Sequence, residues 1–503
     1  MKILRVIASM NPATGGPCQG IRYSTPDLRS MGCTNEVVCL DDPDSPYLCE
    51  DSFVIHALGR GIGPLCYHHR LFSWLKANIS NYDAVIVHGL WLWPSMTTWL
   101  AIRSLKEKVR RSSSSSESSS RSPIPDLPPP KIPPYFVMPH GMLDPWFQRD
   151  KTRRLKSLRN SIYWHLIEKR VVRDAESLLF TCEEELRLAR TTFRDYAPKR
   201  EINVGYGVPE PPVHSGEMDH AFHKTCPHLP EDQPYLLFLS RIHAKKGVDL
   251  LIRAYAEVFG VRSKVKSEQL EGSEIPADTP FEPPAPSPSP ITDNPFPTDA
   301  VPALVIAGSL DSDYAQEMIM LAESLLPGSV FTPSPIDCTF LPETGAAAAE
   351  LPSAVFRSCS HEFGSQLPAS MDDGFKASIH FTGILQGDAK WGALYGCEAF
   401  VLPSHQENFG ISVVEALSCG KAVLISDQVN IWREISAAGA GFSATDTREG
   451  IISLLKKWVD TPFDRRQHIS HTASLCFEGN FHSSAAARNL LLSAGADPLL
   501  PFP

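Results

Sequence analysis

The chain has 503 residues, a formal net charge of −10 at pH 7 and a hydrophobic share of 43%. The excess of 57 acidic over 47 basic side chains argues against a nucleic-acid partner, and no apolar run of about 18 residues predicts a membrane span. Proline is enriched: 44 of the 503 residues, nearly 9%, are proline, against a usual share of about 5%. Part of the chain is therefore not expected to fold as an ordinary domain.

The first half alternates short apolar runs of strand length with amphipathic stretches of helical period. The predicted strands are 3–8, 36–40, 53–57, 83–88, 135–139 and 178–181, and the predicted helices are 67–79, 95–108 and 160–174. Buried strands that alternate with helices form parallel, doubly wound sheets, so residues 1–212 are predicted to form one Rossmann-like domain. The first strand begins without the longer apolar segment of a secretory leader, and the cysteines are scattered; a cytoplasmic protein is expected.

The second half repeats this alternation. Strands are predicted at 236–239, 303–307, 379–381, 400–402 and 422–425, and helices at 248–260 and 314–326. A second Rossmann-like domain is therefore predicted over 234–470, with the proline-rich residues 213–233 as a linker. For the tail, 471–503, an irregular end and a helix that crosses back to the first domain both remain open. The predicted fold class is α/β, with two doubly wound parallel-sheet domains facing a cleft, where ligands of such sheets bind.

Three stretches account for the proline excess. They are rich in proline, serine and alanine, lack sustained periodicity and lie at about 109–134, 262–302 and 329–375. Segments of this composition bury too little apolar surface to offset the entropy lost on ordering, so all three are predicted to be disordered insertions. Without them the chain has the length of two ordinary domains.

The strongest motif, residues 403–416, directly follows a predicted strand. It places Glu407 in a loop at the carboxyl end of that strand and Glu415 in the first turns of the next helix. Backbone amides near Phe409 and Gly410 would form an anion cradle at the helix N-terminus. A carboxylate accepts two hydroxyl hydrogen bonds, which suits Glu415 to a ribose diol and Glu407 to a sugar. Alternatively, the two acidic residues bind no ligand and only stabilise the start of the helix, where acidic side chains are favoured.

Together with the segment 239–249, this motif resembles glycosyltransferase family 4, the group 1 retaining glycosyltransferases of the GT-B fold. The hallmark of that family is two acidic residues with seven others between them, which Glu407 and Glu415 match without a gap. The resemblance implies that Arg241 and Lys246 hold the diphosphate of a nucleotide-sugar, where fixed cations stabilise the leaving group. A solvated basic loop is the alternative interpretation of this segment. The adjacent Lys245 is predicted to be dispensable.

Weaker matches lie in the first domain. Gly15 and Gly16 follow the first strand, and the resemblance places this turn against the donor's sugar-phosphate and the acceptor; a plain strand–helix turn explains it nearly as well. His140 directly follows the predicted strand 135–139, and the resemblance places it beside the transferred sugar near the anomeric carbon. A lone histidine after a strand is more often structural, and His88 is a second candidate for the cleft.

The resemblance implies a retaining glycosyltransferase that uses a nucleotide-sugar donor and needs no metal or other cofactor. Its acceptor, whether a glycan, a lipid-linked sugar or a small molecule, is not identified by the sequence. Two alternatives remain: another GT-B enzyme, such as a sugar-nucleotide epimerase or a phosphorylase, and a non-catalytic nucleotide-sugar-binding scaffold. The presence of every candidate residue favours an active enzyme.

The segment 149–173 carries nine basic residues interleaved with apolar ones. The resemblance makes it a candidate for peripheral contact with an anionic membrane or with a phosphorylated acceptor, because related enzymes often use a basic face of the first domain in this way. A solvated helix face is the commoner explanation of such a pattern.

Overall fold

The computed structural model describes residues 1–116, 131–149, 154–260, 301–333 and 376–496. The three predicted insertions lie mostly outside these residues. Parts of their ends are described, and two of these ends correct the predicted boundaries. The helix Trp93–Ser116 continues past residue 109, and Val330–Phe331 is a strand because it pairs with residues 379 and 380.

The first half of the chain forms one parallel sheet. Its strands are β1 (Lys2–Val6), β2 (Thr34–Cys39), β3 (Ile55–Ala57), β4 (Ala84–His88), β5 (Tyr135–Met138), β6 (Ser177–Phe180) and β7 (Glu201–Asn203), in the order β3-β2-β1-β4-β5-β6-β7. Its helices are α1 (Gly16–Ser30), α2 (His69–Asn78), α3 (Trp93–Ser116), α4 (Trp146–Arg149), α5 (Arg154–Tyr163), α6 (Lys169–Asp174) and α7 (Glu183–Ala189). The central strands β4, β5 and β6 are buried along their whole length, as expected for a sheet covered on both faces.

The second half forms another parallel sheet. Its strands are β8 (Tyr235–Leu239), β9 (Ala303–Ala307), β10 (Val330–Phe331), β11 (Ile379–Gly383), β12 (Ala399–Leu402), β13 (Ala422–Ser426) and β14 (Gly441–Ala444), in the order β10-β11-β9-β8-β12-β13-β14. Its helices are α8 (Gly216–Thr225), α9 (Val248–Tyr255), α10 (Asp313–Leu325), α11 (Gly387–Gly396), α12 (Ile411–Ser418), α13 (Trp432–Ala438), α14 (Arg448–Val459), α15 (Phe463–Asn480) and α16 (Ser483–Ser493). The predicted α/β class with two Rossmann-like sheets is confirmed.

The strand order reverses beside the first strand of each sheet, between β1 and β4 in one domain and between β8 and β12 in the other. Ligands of open α/β sheets bind outside the carboxyl ends of strands at such a switch point. The segments that directly follow β1, β8 and β12 carry most of the predicted site residues, namely Gly15, Gly16, Arg241, Lys246, Glu407, Phe409 and Gly410.

The predicted linker, 213–233, contains a helix. α8 occupies its middle and packs on α11. Met218 and Phe222 are buried at i, i+4 spacing, with acidic side chains in the first turn and basic ones in the last, all of which favour a helix. That pair is the signal in the sequence that the proline content obscured.

The tail, which is described as far as residue 496, contains a crossover helix. α15 ends the second domain, and α16 then returns to the first, where Leu490 and Leu491 are 4% and 1% exposed. They share a core with Ile3, Ile86 and Phe136 of the first sheet. No helix among the described residues is long and apolar enough to cross a membrane.

Candidate active site

The loop after β8 places two cations at the cleft. Arg241 is exposed and makes no hydrogen bond or ion pair with a described residue, whereas Lys246, at the end of a short 3-10 turn, is 7% exposed. Gly247 follows at φ +66°, and a Cβ there would lie 2.2 Å from the Pro403 carbonyl oxygen. Only glycine allows this close approach, which brings the loops after β8 and β12 together.

Glu407 is held in the loop after β12 by its own backbone. Its amide donates to the Gln428 carbonyl (3.0 Å), and its carbonyl accepts from the Asn430 amide (3.0 Å). The Lys246 ammonium donates a hydrogen bond to the Glu407 carboxylate. Two residues from separate motifs, 161 positions apart, are therefore in direct contact.

The start of α12 offers unused backbone donors. Gly410 precedes the helix at φ +80°, and the amides of Phe409, Gly410, Ile411 and Ser412 donate to no described residue. Free amides at a helix N-terminus bind anions. The Phe409 side chain is 5% exposed and packs on Tyr206 with ring centroids 4.6 Å apart, so only its backbone is available to a ligand.

Glu415 lies in the second turn of α12 and is already engaged. Its Oε1 accepts hydrogen bonds from the Tyr23 hydroxyl (3.2 Å) and the Lys390 ammonium (3.0 Å). Burial, together with the charge of Glu415, raises the pKa of Tyr23. Tyr23 belongs to α1 of the first domain, so both domains meet at the carboxylate predicted to bind ribose. Neither Tyr23 nor Lys390 lies in a motif, and sequence reasoning missed both.

His140 occupies a strained turn after β5. Its φ is +53°, in the left-handed region that non-glycine residues rarely adopt, and Gly141 follows at φ +77°. Glu185 holds this turn in place. Its carboxylate accepts hydrogen bonds from the Gly141 amide (2.5 Å) and from the Thr181 hydroxyl (2.6 Å). Burial raises the pKa of Glu185, and these hydrogen bonds oppose the shift.

His88, the second histidine candidate, lies directly behind His140. The two ring planes are inclined by 18° with centroids 5.1 Å apart, and His88 Nδ1 lies 2.8 Å from His140 Nε2. Burial and Arg5 lower the pKa of His140 to about 3, so its ring is neutral at neutral pH. The structure therefore joins the two histidines in one unit.

The glycine turn after β1 faces the N-terminus of α12. Gly15 has φ +96°, and a Cβ on Gly16 would lie 3.7 Å from Ile411 Cδ1 at the start of α12. The Tyr206 hydroxyl donates to the Gly16 carbonyl (2.7 Å) and so anchors the turn. Gly15 and Gly16 are thus opposite the amides of α12, although their contact with a donor stays a prediction.

Polar side chains on either side of Glu407 bridge the cleft. Gln406 donates to the Asp144 carboxylate (2.9 Å), and Asn408 donates to the Thr181 hydroxyl (3.0 Å). Their polar character within the motif was visible in the sequence, but their partners were not. These bonds hold the Glu407 loop against the turn that carries His140.

Residues 372–474 match the family model described as glycosyl transferases group 1. Over 93 residues the chain is 36% identical to the enzyme of Campylobacter jejuni named N,N'-diacetylbacillosaminyl-diphospho-undecaprenol alpha-1,3-N-acetylgalactosaminyltransferase. That match covers 18% of this chain and 24% of the relative, so the chain spans about a quarter of the curated relative's length.

Solved structures align with nearly the whole chain at low identity. A glycosyltransferase of Rickettsia africae superposes with a TM-score of 0.58 and 13% identity over 98% of this chain and 97% of that one. Sucrose-phosphate synthase of Thermosynechococcus elongatus gives 0.56 and 14% over 97% of each chain, and Anabaena HepE with UDP and glucose gives 0.56 and 14% over 98% of each. The chain therefore has the GT-B fold, and residues 372–474 of its second half are similar to the group 1 glycosyl transferases.

Proposed function

We propose that this chain is a retaining, metal-independent glycosyltransferase that moves a sugar from a nucleotide-sugar donor to a sugar-containing or lipid-linked acceptor. The observation that carries the proposal is the meeting of Lys246, Glu407 and the free amides of α12 at the switch point of the second sheet. The group 1 match and the UDP complex of HepE support the donor class. The name of the Campylobacter relative supports a lipid-linked acceptor.

In the proposed reaction the bond between C1 of the sugar and the phosphate oxygen breaks, and its electron pair stays on the phosphate. Arg241, Lys246 and the amides of α12 stabilise this charge, and metal independence is proposed because these groups supply the positive potential. An acceptor hydroxyl bonds to C1 on the face that the phosphate leaves and gives its proton to the departing phosphate. Glu407 accepts hydroxyl hydrogen bonds of the sugar, and Glu415 those of the ribose.

Hydrolysis of UDP-, GDP- and ADP-sugars tests the proposal without an acceptor. We expect one of these donors to release nucleoside diphosphate at a rate that a metal chelator does not change. Glu415→Gln should raise KM for that donor about tenfold to a hundredfold and leave kcat nearly unchanged, because the ribose contact is made equally in the ground and transition states.

The matched control is Glu449→Gln, the same change at an exposed glutamate in the first turn of α14. It should leave KM unaltered. Isomerised donor without released diphosphate would indicate an epimerase, and phosphorolysis of a glycoside would indicate a phosphorylase. Donor that binds but is never cleaved would indicate a scaffold.

We also propose that the first domain contacts an anionic membrane through α5 and the turn that follows it. Leu158, Ile162 and Leu166 are 61%, 54% and 60% exposed, and their i, i+4, i+8 spacing aligns them along one helix face. Arg159 and Arg170 are exposed on the same segment. An apolar stripe flanked by cations suits a helix that lies in a membrane interface.

Sedimentation with vesicles checks this contact. The triple variant Leu158→Ser, Ile162→Ser, Leu166→Ser should bind phosphatidylglycerol vesicles about tenfold more weakly than the unmodified chain, since it loses the apolar anchor. Leu475→Ser, at a leucine 52% exposed in the second domain, should bind as the unmodified chain does. Equal binding by all three proteins would remove the stripe from the proposal.

A further inference from the structure

We propose that Arg5 and His88 fix the tautomer of His140, so that His140 presents an Nδ1–H donor to the transferred sugar. The role at the sugar rests on the proposed function, whereas the hydrogen-bond chain is a property of this fold. This chain of hydrogen bonds links side chains on or directly after three neighbouring strands of the first sheet. Arg5 Nη1 on β1 lies 3.4 Å from His88 Nε2 on β4, and His88 Nδ1 lies 2.8 Å from His140 Nε2 after β5.

The arginine sets the direction of this chain. A guanidinium carries only N–H donors and stays protonated in proteins, so the nitrogen that faces it, His88 Nε2, must accept. A neutral imidazole has one donor and one acceptor nitrogen, so the proton of His88 is on Nδ1 and is donated to His140 Nε2. The proton of His140 is therefore on Nδ1.

Both imidazoles are neutral in this environment. Burial, with His140 and Arg5 as further causes, lowers the pKa of His88 well below its ordinary value. Burial lowers the pKa of Arg5 to about 10, which still leaves the guanidinium cationic at neutral pH. Arg5 is the charged side chain that acts on both rings.

Arg5 is oriented by a second set of hydrogen bonds. Its Nε donates to Asn35 Oδ1 (2.9 Å), and Asn35 Nδ2 donates to Thr25 Oγ1 on α1 (2.9 Å). Arg5 as a whole residue is 2% exposed, and its Nη2 has no partner among the described residues. A buried cation with an unused donor costs stability, so its place in a central strand indicates a role beyond packing.

The consequence for His140 is specific. Its Nε2 lone pair is taken by His88, so this ring cannot remove a proton through that nitrogen. Nδ1 donates to no residue that the structure describes and is free to donate to an oxygen. A sugar hydroxyl or the departing phosphate is the chemistry that such a fixed donor serves. Arg5 and His88 act through His140 and are positioning residues.

Nitrogen-15 NMR of histidine-labelled full-length protein tests the tautomer directly. We expect His140 and His88 each to show a protonated Nδ1 and an unprotonated Nε2 at neutral pH. The signals are assigned by their loss in His140→Gln and in His88→Asn. An Nε2-protonated or a cationic His140 overturns the inference, whether or not the protein transfers sugar.

Two variants of His88 whose new side chains have nearly the same shape as each other test the positioning role by donor hydrolysis. His88→Asn keeps an N–H where Nδ1 stood, and kcat should fall by no more than about fivefold. His88→Asp accepts instead of donating, draws the His140 proton to Nε2, and should lower kcat about a hundredfold. Its carboxylate should also raise the pKa of His140, which adds a new titration to the pH–rate profile. Equal rates and identical pH profiles in the two variants overturn the role.

Discussion

We expect Lys246→Met and Glu407→Gln each to lower kcat by about a hundredfold to a thousandfold, but only Lys246→Met to weaken the binding of nucleoside diphosphate. Removing Lys246 takes away a buried cation from the leaving group, a contact that strengthens as charge develops. Glu407→Gln instead releases the Lys246 ammonium from its ion pair. It should therefore bind nucleoside diphosphate as tightly as the unmodified chain or more tightly, while losing its contact with the sugar.

Calorimetric titration with the nucleoside diphosphate and initial rates of donor hydrolysis measure the two effects separately. Lys245→Met is the matched control, since its ammonium lies 5.0 Å from the Trp146 ring and 4.9 Å from the Phe147 ring of the first domain. We expect less than a threefold change in kcat for that variant. If Lys245→Met were as damaging as Lys246→Met, the assignment of the diphosphate cation would be wrong.

Candidate residues within one motif could be identified from the sequence, but contacts between separate motifs could not. Glu407 and Glu415 were recognised because both lie in a single motif between a strand and a helix. The pairing of Glu407 with Lys246 depends instead on β8 and β12 being neighbours in the sheet. The roles of these residues remain predictions until their variants are measured.

Arg5 shows the same division between local and non-local information. A charged residue in the apolar run 3–8 is itself a signal, because burial of an unpaired charge is costly. Its partner, however, follows from the order β1-β4-β5, which places His88 beside it and His140 beyond. The spacing of residues along the sequence does not encode that strand order, so the hydrogen bonds that link these three residues could not be predicted.

Three of the four edge strands, β7, β10 and β14, were missed for a different physical reason. β7, β10 and β14 have three, two and four residues and, unlike the four-residue strands β5 and β12, contain no run of four apolar residues. β10 exists through its pairing of Val330 with Ile379, a contact between distant segments. The buried central strands, by contrast, are continuous apolar runs and were predicted from composition alone.

The crossover helix should contribute a large share of the stability of the first domain. Leu490 and Leu491 are almost completely buried against the first sheet, and each leucine-to-alanine change in a core costs about 2–5 kcal/mol. The double variant Leu490→Ala, Leu491→Ala should therefore lower the free energy of unfolding by about 5 kcal/mol, comparable to the whole stability of a marginal domain. Urea unfolding followed by tryptophan fluorescence measures the loss.

Leu492→Ala provides the control, because Leu492 is the next residue of α16 and is 39% exposed. It should change the free energy of unfolding by less than about 1 kcal/mol. Since Ser483 donates its amide to the Val208 carbonyl and Val208 donates to Phe481, α16 is tied to the chain between the domains as well as to the first sheet. Loss of its leucines should therefore also loosen the cleft and raise KM for the donor. An unaltered urea midpoint in the double variant would show that α16 does not hold the first domain.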